Sequence, residues 1–252
     1  MIGIFFCAIK IALVQTILAI ETSVPEASVA LWSDGECLFK AEFVSDRHHN
    51  SMVFNPLAEA LEALEALEGR ELTSVVVGTG PGSYSGTRVG IAAAQGVAIA
   101  RGCPAIGLGS MAATPVARDS MDPNSSNSPK NSGGALAVGD ARRGLYFISP
   151  ISATGEAMDV ELMDAEAFAS RMNAVPDAAL FTLDDPSGLG LEEDLENRVQ
   201  RTRPEARLLI DVWMSLDPER QQVLANRPLS PTYLRAPFTS KAKSGHPLLR
   251  KG

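Results

Sequence analysis

Gly78 to Gly90 reads Gly-Thr-Gly-Pro-Gly-Ser-Tyr-Ser-Gly-Thr-Arg-Val-Gly, so five glycines and one proline fall within thirteen residues. Each free glycine loses more backbone freedom on folding than any other residue, so such a turn must need conformations or close approaches that a side chain would forbid. It lies between a β-branched run, Thr73 to Val77, and a small-residue stretch, Ile91 to Ala100, which reads as strand, tight turn and helix. A glycine turn entering a helix commonly offers its amides to an anion. The spacing fits neither standard phosphate pattern. Gly80-Pro-Gly82-Ser-Tyr-Ser-Gly86 has one residue too many for G-x-G-x-x-G, and no lysine follows to make a P-loop.

With 252 residues, 45% of them hydrophobic, the chain can bury a sizeable core. Its net charge of −8 argues against a protein that grips nucleic acid by itself, because phosphate contacts need a basic surface. Cys7, Cys37 and Cys103 are scattered and form no C-x-x-C pair, which points to neither a disulfide framework nor zinc, and makes the cytoplasm the simplest compartment. Histidine is confined to His48, His49 and His246, so no H-x-x-x-H or H-E-x-x-H pair exists and no metal is expected. The apolar start, Met1 to Gln15, carries Lys10 inside it and lacks a basic leader and a clear cleavage site. It is therefore expected to be an extension from a mis-set start codon rather than a signal peptide or membrane anchor.

Thr16 to Ile20, Ala27 to Trp32 and Glu36 to Phe43 read as strands, with Ser33-Asp34-Gly35 as hairpin turn chemistry. A helical stretch from about His48 to Leu67 follows, with Val53, Leu57, Leu61, Leu64 and Glu68 on one stripe and Glu59, Glu62 and Glu65 elsewhere. Then come strand Thr73 to Val77, the glycine loop, the second helix and a short run Ala105 to Gly107, giving the order βββ-α-β-α-β. Residues 119–134 are polar and turn-rich and read as a mobile loop. Strands Ala135 to Gly139 and Leu145 to Ser149 flank Asp140-Ala-Arg-Arg-Gly144, helices are expected near Asp164 to Met172 and Leu191 to Arg201, and Pro228 to Arg235 resembles an anchoring segment. This divides the chain into an extension (1–15), a first half (16–109), a smaller second half (110–235) and a basic tail (236–252).

Two polar turns, Glu21-Thr22-Ser23 and Asp140-Ala-Arg, each follow a strand and could face one cleft. With Gly80, Gly82 and Arg88 they are the candidate contacts for a nucleotide or other anion, set against ordinary strand-end turns whose side chains bond their own backbone. The second helix is small or apolar on every face and needs cover on two sides. Leu57, Leu61 and Leu64 of the first helix, with Val89, Gly90, Ala93, Ala94 and Val97 of the second, are therefore the candidate surface for another chain.

Ile17-Leu-Ala-Ile-Glu-Thr-Ser, Ala27-Ser-Val-Ala-Leu-Trp, the glycine loop with Ala94-Gln-Gly, and Asp140-Ala-Arg with Tyr146 together resemble the TsaB (YeaZ) family over about Thr16 to Arg235. A weaker likeness runs to its paralogue TsaD. The resemblance implies an α/β actin-like ATPase (RNase H-like) fold of two related halves, the second reduced. It also implies a noncatalytic, scaffolding subunit of the machinery that makes N6-threonylcarbamoyladenosine next to the anticodon of tRNA. In that family TsaD transfers the threonylcarbamoyl group, TsaC makes the adenylate it comes from, and TsaE is an accompanying ATPase. The implied partners are thus a TsaD-type subunit, a TsaE-type ATPase, a second copy of the chain, and tRNA through the complex, with ATP entering only at the level of the complex and no tightly bound cofactor. Tyr84-Ser85 stands where Phe-Thr is commoner in the family, and Glu21 where Asp is. The rivals are an actin-like-fold ATPase or kinase, with Asp140 as its one obvious carboxylate, and a metallopeptidase, which the missing histidine pair disfavours.

Overall fold

In the computed structural model the described residues are 15–44, 50–121, 134–152 and 160–234. Met1 to Val14, His48, His49, most of the 119–134 loop and the 236–252 tail lie outside them.

β1 (Thr16–Glu21) is buried along its whole length, as a strand flanked on both edges and covered on both faces must be. It pairs antiparallel with β2 (Glu26–Ser33), which pairs antiparallel with β3 (Glu36–Val44) across the expected hairpin. Asp34 and Gly35 at that turn have φ of 55° and 96°, the left-handed pair that matches the twist of a two-residue connection. After a 3-10 turn at Asn50–Val53, α1 runs over Phe54–Glu65. Pro56 falls in its first turn, where a missing N–H costs nothing, so the helix starts near the proline and is not kinked by it. β4 (Ser74–Gly78) lies parallel to β1, the glycine loop leads into α2 (Tyr84–Arg101), and β5 (Ala105–Leu108) lies parallel to β4. The sheet order is β3-β2-β1-β4-β5. A 3-10 turn at Ser110–Ala113 and the short α3 (Pro115–Asp119) close this part.

The second sheet repeats the plan. β6 (Ala135–Asp140), β7 (Tyr146–Ile151) and β8 (Glu161–Met163) form the antiparallel part. α4 (Ala165–Asn173) follows, and β9 (Ala179–Thr182) lies parallel to β6. A 3-10 turn at Pro186–Leu189, the four-residue α5 (Glu193–Glu196) and β10 (Val199–Arg201), parallel to β9, complete the order β8-β7-β6-β9-β10. The helix expected over Leu191 to Arg201 is thus only one turn. Val199 is buried against β9, so strand pairing takes over the end of that stretch.

The period-two alternation of β1 divides the core. Leu18 and Ile20 face α1 and α2 with Val29, Leu31, Val75 and Val77, while Ile17 and Ala19 face a second layer. That layer is supplied by α6 (Ala206–Ser215), through Leu209, Ile210 and Trp213, and it continues into Ala135, Ala137, Phe147 and Phe181 of the second sheet. Burying each such large side chain contributes about 1.5–3 kcal/mol, so the two halves share their central core. α7 (Pro218–Ala225) follows α6, and the chain then returns to the first half.

Candidate functional site

The glycine loop closes down on the turn that ends β1. A Cβ on Gly82 would lie 2.1 Å from the Ser23 carbonyl oxygen, and one on Gly86 2.3 Å from that of Thr22. Ser83 donates its amide to the Ser23 carbonyl at 2.6 Å, and the Thr22 hydroxyl donates to the Gly86 carbonyl at 2.8 Å. Close backbone approach is therefore what the glycines supply. The loop's amides are correspondingly engaged: Gly80 N–H donates to Ser110 Oγ at 3.0 Å, Gly86 N–H to Ser83 Oγ at 3.2 Å and Thr87 N–H to the Ser83 carbonyl at 3.0 Å. Ser83 is thereby the N-cap of α2.

Glu21 lies beneath this junction and is fully buried. Its Oε1 accepts from the Ser23 amide at 2.7 Å, while Oε2 has no hydrogen-bond partner within standard geometry. A Cβ on Gly78 would fall 1.9 Å from Oε2, so the glycine that ends β4 makes room for the carboxyl. Burial pushes its pKa up, opposed by the Ser23 amide and the neighbouring polar groups of Ser23, Ser110 and the Thr22 backbone.

Of the anion candidates, Ser23, Gly82 and Asp140 line one cleft of about 780 Å³ between the halves, with Tyr84, Arg142, Asp184 and Tyr233. Thr22 is buried with its hydroxyl committed to Gly86, and Gly80 faces a neighbouring cavity of about 620 Å³. Arg88 donates to the Tyr84 carbonyl at 3.0 Å and its guanidinium lies 3.4 Å over the Tyr84 ring. Asp140 accepts from the Arg142 amide at 2.6 Å and pairs with its guanidinium at 3.2 Å, the arrangement of a strand-end Asx turn. Among the described residues no group of three or more His, Cys, Asp or Glu could hold a metal ion, and no helix is long and apolar enough to cross a membrane.

The candidate partner residues divide into two sets. Leu57, Leu64, Gly90, Ala93 and Ala94 are buried, and they pack the chain's own sheet rather than present a surface. Leu61, Val89 and Val97 are half-buried at the margin of that core. The reason is the phase of α2. Its small residues at Gly90, Ala93, Ala94 and Ala98 face the sheet, and a Cβ on Gly90 would already meet the Thr22 hydroxyl at 2.2 Å. The outward face is Ala92, Gln95, Gly96, Ile99 and Ala100, with Ile99 82% exposed. Met52, in the turn ahead of α1, and Phe54, its first residue, are 43% and 54% exposed, and Arg101 at the end of α2 pairs with Glu65 at the end of α1 at 2.7 Å. Sequence reasoning missed this outward set, because a helix apolar all round gives no phase. It also missed the contacts of Thr232 and Tyr233 with the loop, for which the proline pair at 228 and 231 was the available signal.

The family model for TsaD, tRNA N6-adenosine threonylcarbamoyltransferase, matches residues 43–170, about half of the chain. The chain belongs to this family. The TsaB protein of Escherichia coli is 34% identical over 95 residues, covering 38% of this chain and 40% of that protein, so the match spans about two fifths of that relative. An uncharacterized protein of Mycobacterium tuberculosis is 31% identical over 183 residues, 68% of this chain and 77% of the relative. The solved structure of YeaZ from Pseudomonas aeruginosa superposes with a TM-score of 0.58 at 22% identity, covering 87% of this chain and all of that one. The fold is accordingly the α/β fold of that protein, with both mixed five-stranded sheets present and the helices of the second half reduced.

Proposed function

We propose that the chain is a noncatalytic scaffold subunit that binds a TsaD-type catalytic subunit and supports formation of N6-threonylcarbamoyladenosine in tRNA in the cytoplasm. The observation that carries this reading is the outward face of α2, an eighteen-residue helix whose exposed side combines small and apolar residues, Ala92, Gly96, Ile99 and Ala100. A helix in water gains nothing from such a face, whereas a second helix can pack closely on it. Glu59, Glu62 and Glu65, exposed on α1, add an acidic flank. The same surface suits a second copy of the chain, which would compete with the catalytic subunit. A TsaE-type ATPase and tRNA then belong to the assembled complex.

Gly96→Arg and Ile99→Glu test the interface. Both positions point into open space, with nothing within 4 Å of a Cβ on Gly96 and Ile99 82% exposed, so both variants should fold. Loss of copurification with the TsaD-type subunit, together with failure to restore threonylcarbamoyladenosine in tRNA of a depleted strain, is the expected result. An unchanged complex on gel filtration overturns it. The rival ATPase reading makes the opposite demand: turnover of ATP by the isolated chain, abolished in Asp140→Ala.

A further inference from the structure

After α7 the chain reads Arg227-Pro-Leu-Ser-Pro-Thr-Tyr-Leu234 and crosses back from the second half to the glycine loop. Its two prolines fix φ and donate no amide, so the segment is stiff and little entropy is lost when it docks. Leu229 packs where Gly107 lacks a side chain: a Cβ there would stand 2.8 Å from Leu229 Cδ2. The Thr232 amide donates to the Thr79 carbonyl at 2.8 Å, and the two threonine hydroxyls are 3.1 Å apart. One residue on, the Tyr233 ring meets Tyr84 with centroids 6.1 Å apart, and the Arg88 guanidinium lies 5.2 Å from the Tyr233 ring. The segment thus touches the residue entering the loop, Thr79, and the first turn of the helix leaving it. Thr232, like Pro81 of the loop, lines both neighbouring cavities.

We propose that residues 228–234 form a strap that positions α2, so that the orientation of its outward face is set from the second half of the molecule. Five glycines leave the loop little stiffness of its own. On its inner side it is held by Ser23, Thr22 and Ser110, all buried; on its outer side, by the strap. The strap contacts are the weaker set. Tyr84 and Tyr233 are 68% and 42% exposed, and two part-buried hydrogen-bond contacts and one leucine open more readily than a core. Thr232 and Tyr233 are therefore positioning residues for the partner face, a role that rests on the proposed interface with the TsaD-type subunit.

Hydrogen–deuterium exchange on the full chain tests the strap. Tyr233→Ala and Thr232→Pro, the latter removing the donated amide, should raise exchange of residues 79–88 roughly tenfold while β1 remains protected. Tyr233→Phe, which keeps the ring, should behave as the native chain. Unchanged exchange at 79–88 in both variants overturns the proposal, and so does an increase spread evenly over the molecule. Binding to the TsaD-type subunit should weaken roughly tenfold in the two disruptive variants. Faster exchange with unaltered binding, where Ile99→Glu abolishes binding, overturns the coupling to the partner face. If Ile99→Glu binds normally, the interface reading is what fails, and the exchange data alone decide the strap.

Discussion

β1 and β6 are the same strand in two copies of one sheet plan, and each ends in a carboxylate followed by a polar turn. Glu21 in the first half is sealed beneath Gly78 and the glycine loop, whereas the Asp140 side chain in the second is 30% exposed and faces the cleft. The segment after the fourth strand of each sheet accounts for the difference. β4 leads into the eighteen residues of α2, whose loop settles on the strand-end turn; β9 leads only into a 3-10 turn and the four residues of α5, whose Leu189 and Leu195 pack on the second sheet but leave the Asp140 turn open. In the first half the turn has become packing. In the second it remains a surface loop whose Arg142 and Arg143 sit at φ of 69° and 58°, a strained conformation for residues with a Cβ.

Gly82→Ala puts the largest load on this contrast. Its Cβ would meet backbone, so the loop and the Ser23 turn must separate, with an expected loss of about 3 kcal/mol in urea unfolding. A loss below about 1 kcal/mol would mean that the two are not packed as a unit.

Glu21→Gln comes next, and its effect should depend on pH. Below the ordinary value of 4.5 Glu21 is neutral in both the folded and unfolded states, so it adds no pH dependence. As pH rises past 4.5 the unfolded chain releases this proton while the buried carboxyl keeps it, and stability falls until the raised folded pKa is passed. The glutamine variant escapes that fall, so its melting temperature should gain on the native chain as pH rises above 4.5. Parallel curves would remove the sealed carboxyl from the comparison.

Asp140→Ala should cost about 1 kcal/mol, from the lost acceptor for the Arg142 amide, with exchange changes confined to residues 140–146. Glu42→Ala, which breaks surface pairs to Arg203 and Lys40, should cost less than about 1 kcal/mol and nothing at high salt.

The first half was readable because its signals are local. Alternation in β1 and β2, Asp34-Gly35 at the hairpin and the glycine run each specify their own element. The second half was less so. β8 and β10 have three residues each and exist by pairing with neighbours, and α6, which builds the central core, lies far in sequence from the β1 face it covers. The site was half legible for a related reason. The glycine loop announces a close approach but not what approaches, and its partners, Thr22 and Ser23 ahead of it and Thr232 long after it, come from opposite ends of the chain. Likewise α2 shows that both its faces are apolar without showing that Ala94 points inward and Ile99 outward.

β1 enters the first sheet at Thr16, beside Ser33 and Thr73, about 17 Å of strand away from Glu21. Leu234 is at the opposite end, on the wall of the cleft. A fluorophore or fusion attached past Leu234 would therefore emerge next to the glycine loop and sense or disturb its movement, while one placed ahead of Thr16 would be insulated from it by the length of the sheet. Labelling both sites with a donor and acceptor turns the first half into its own ruler for strap release.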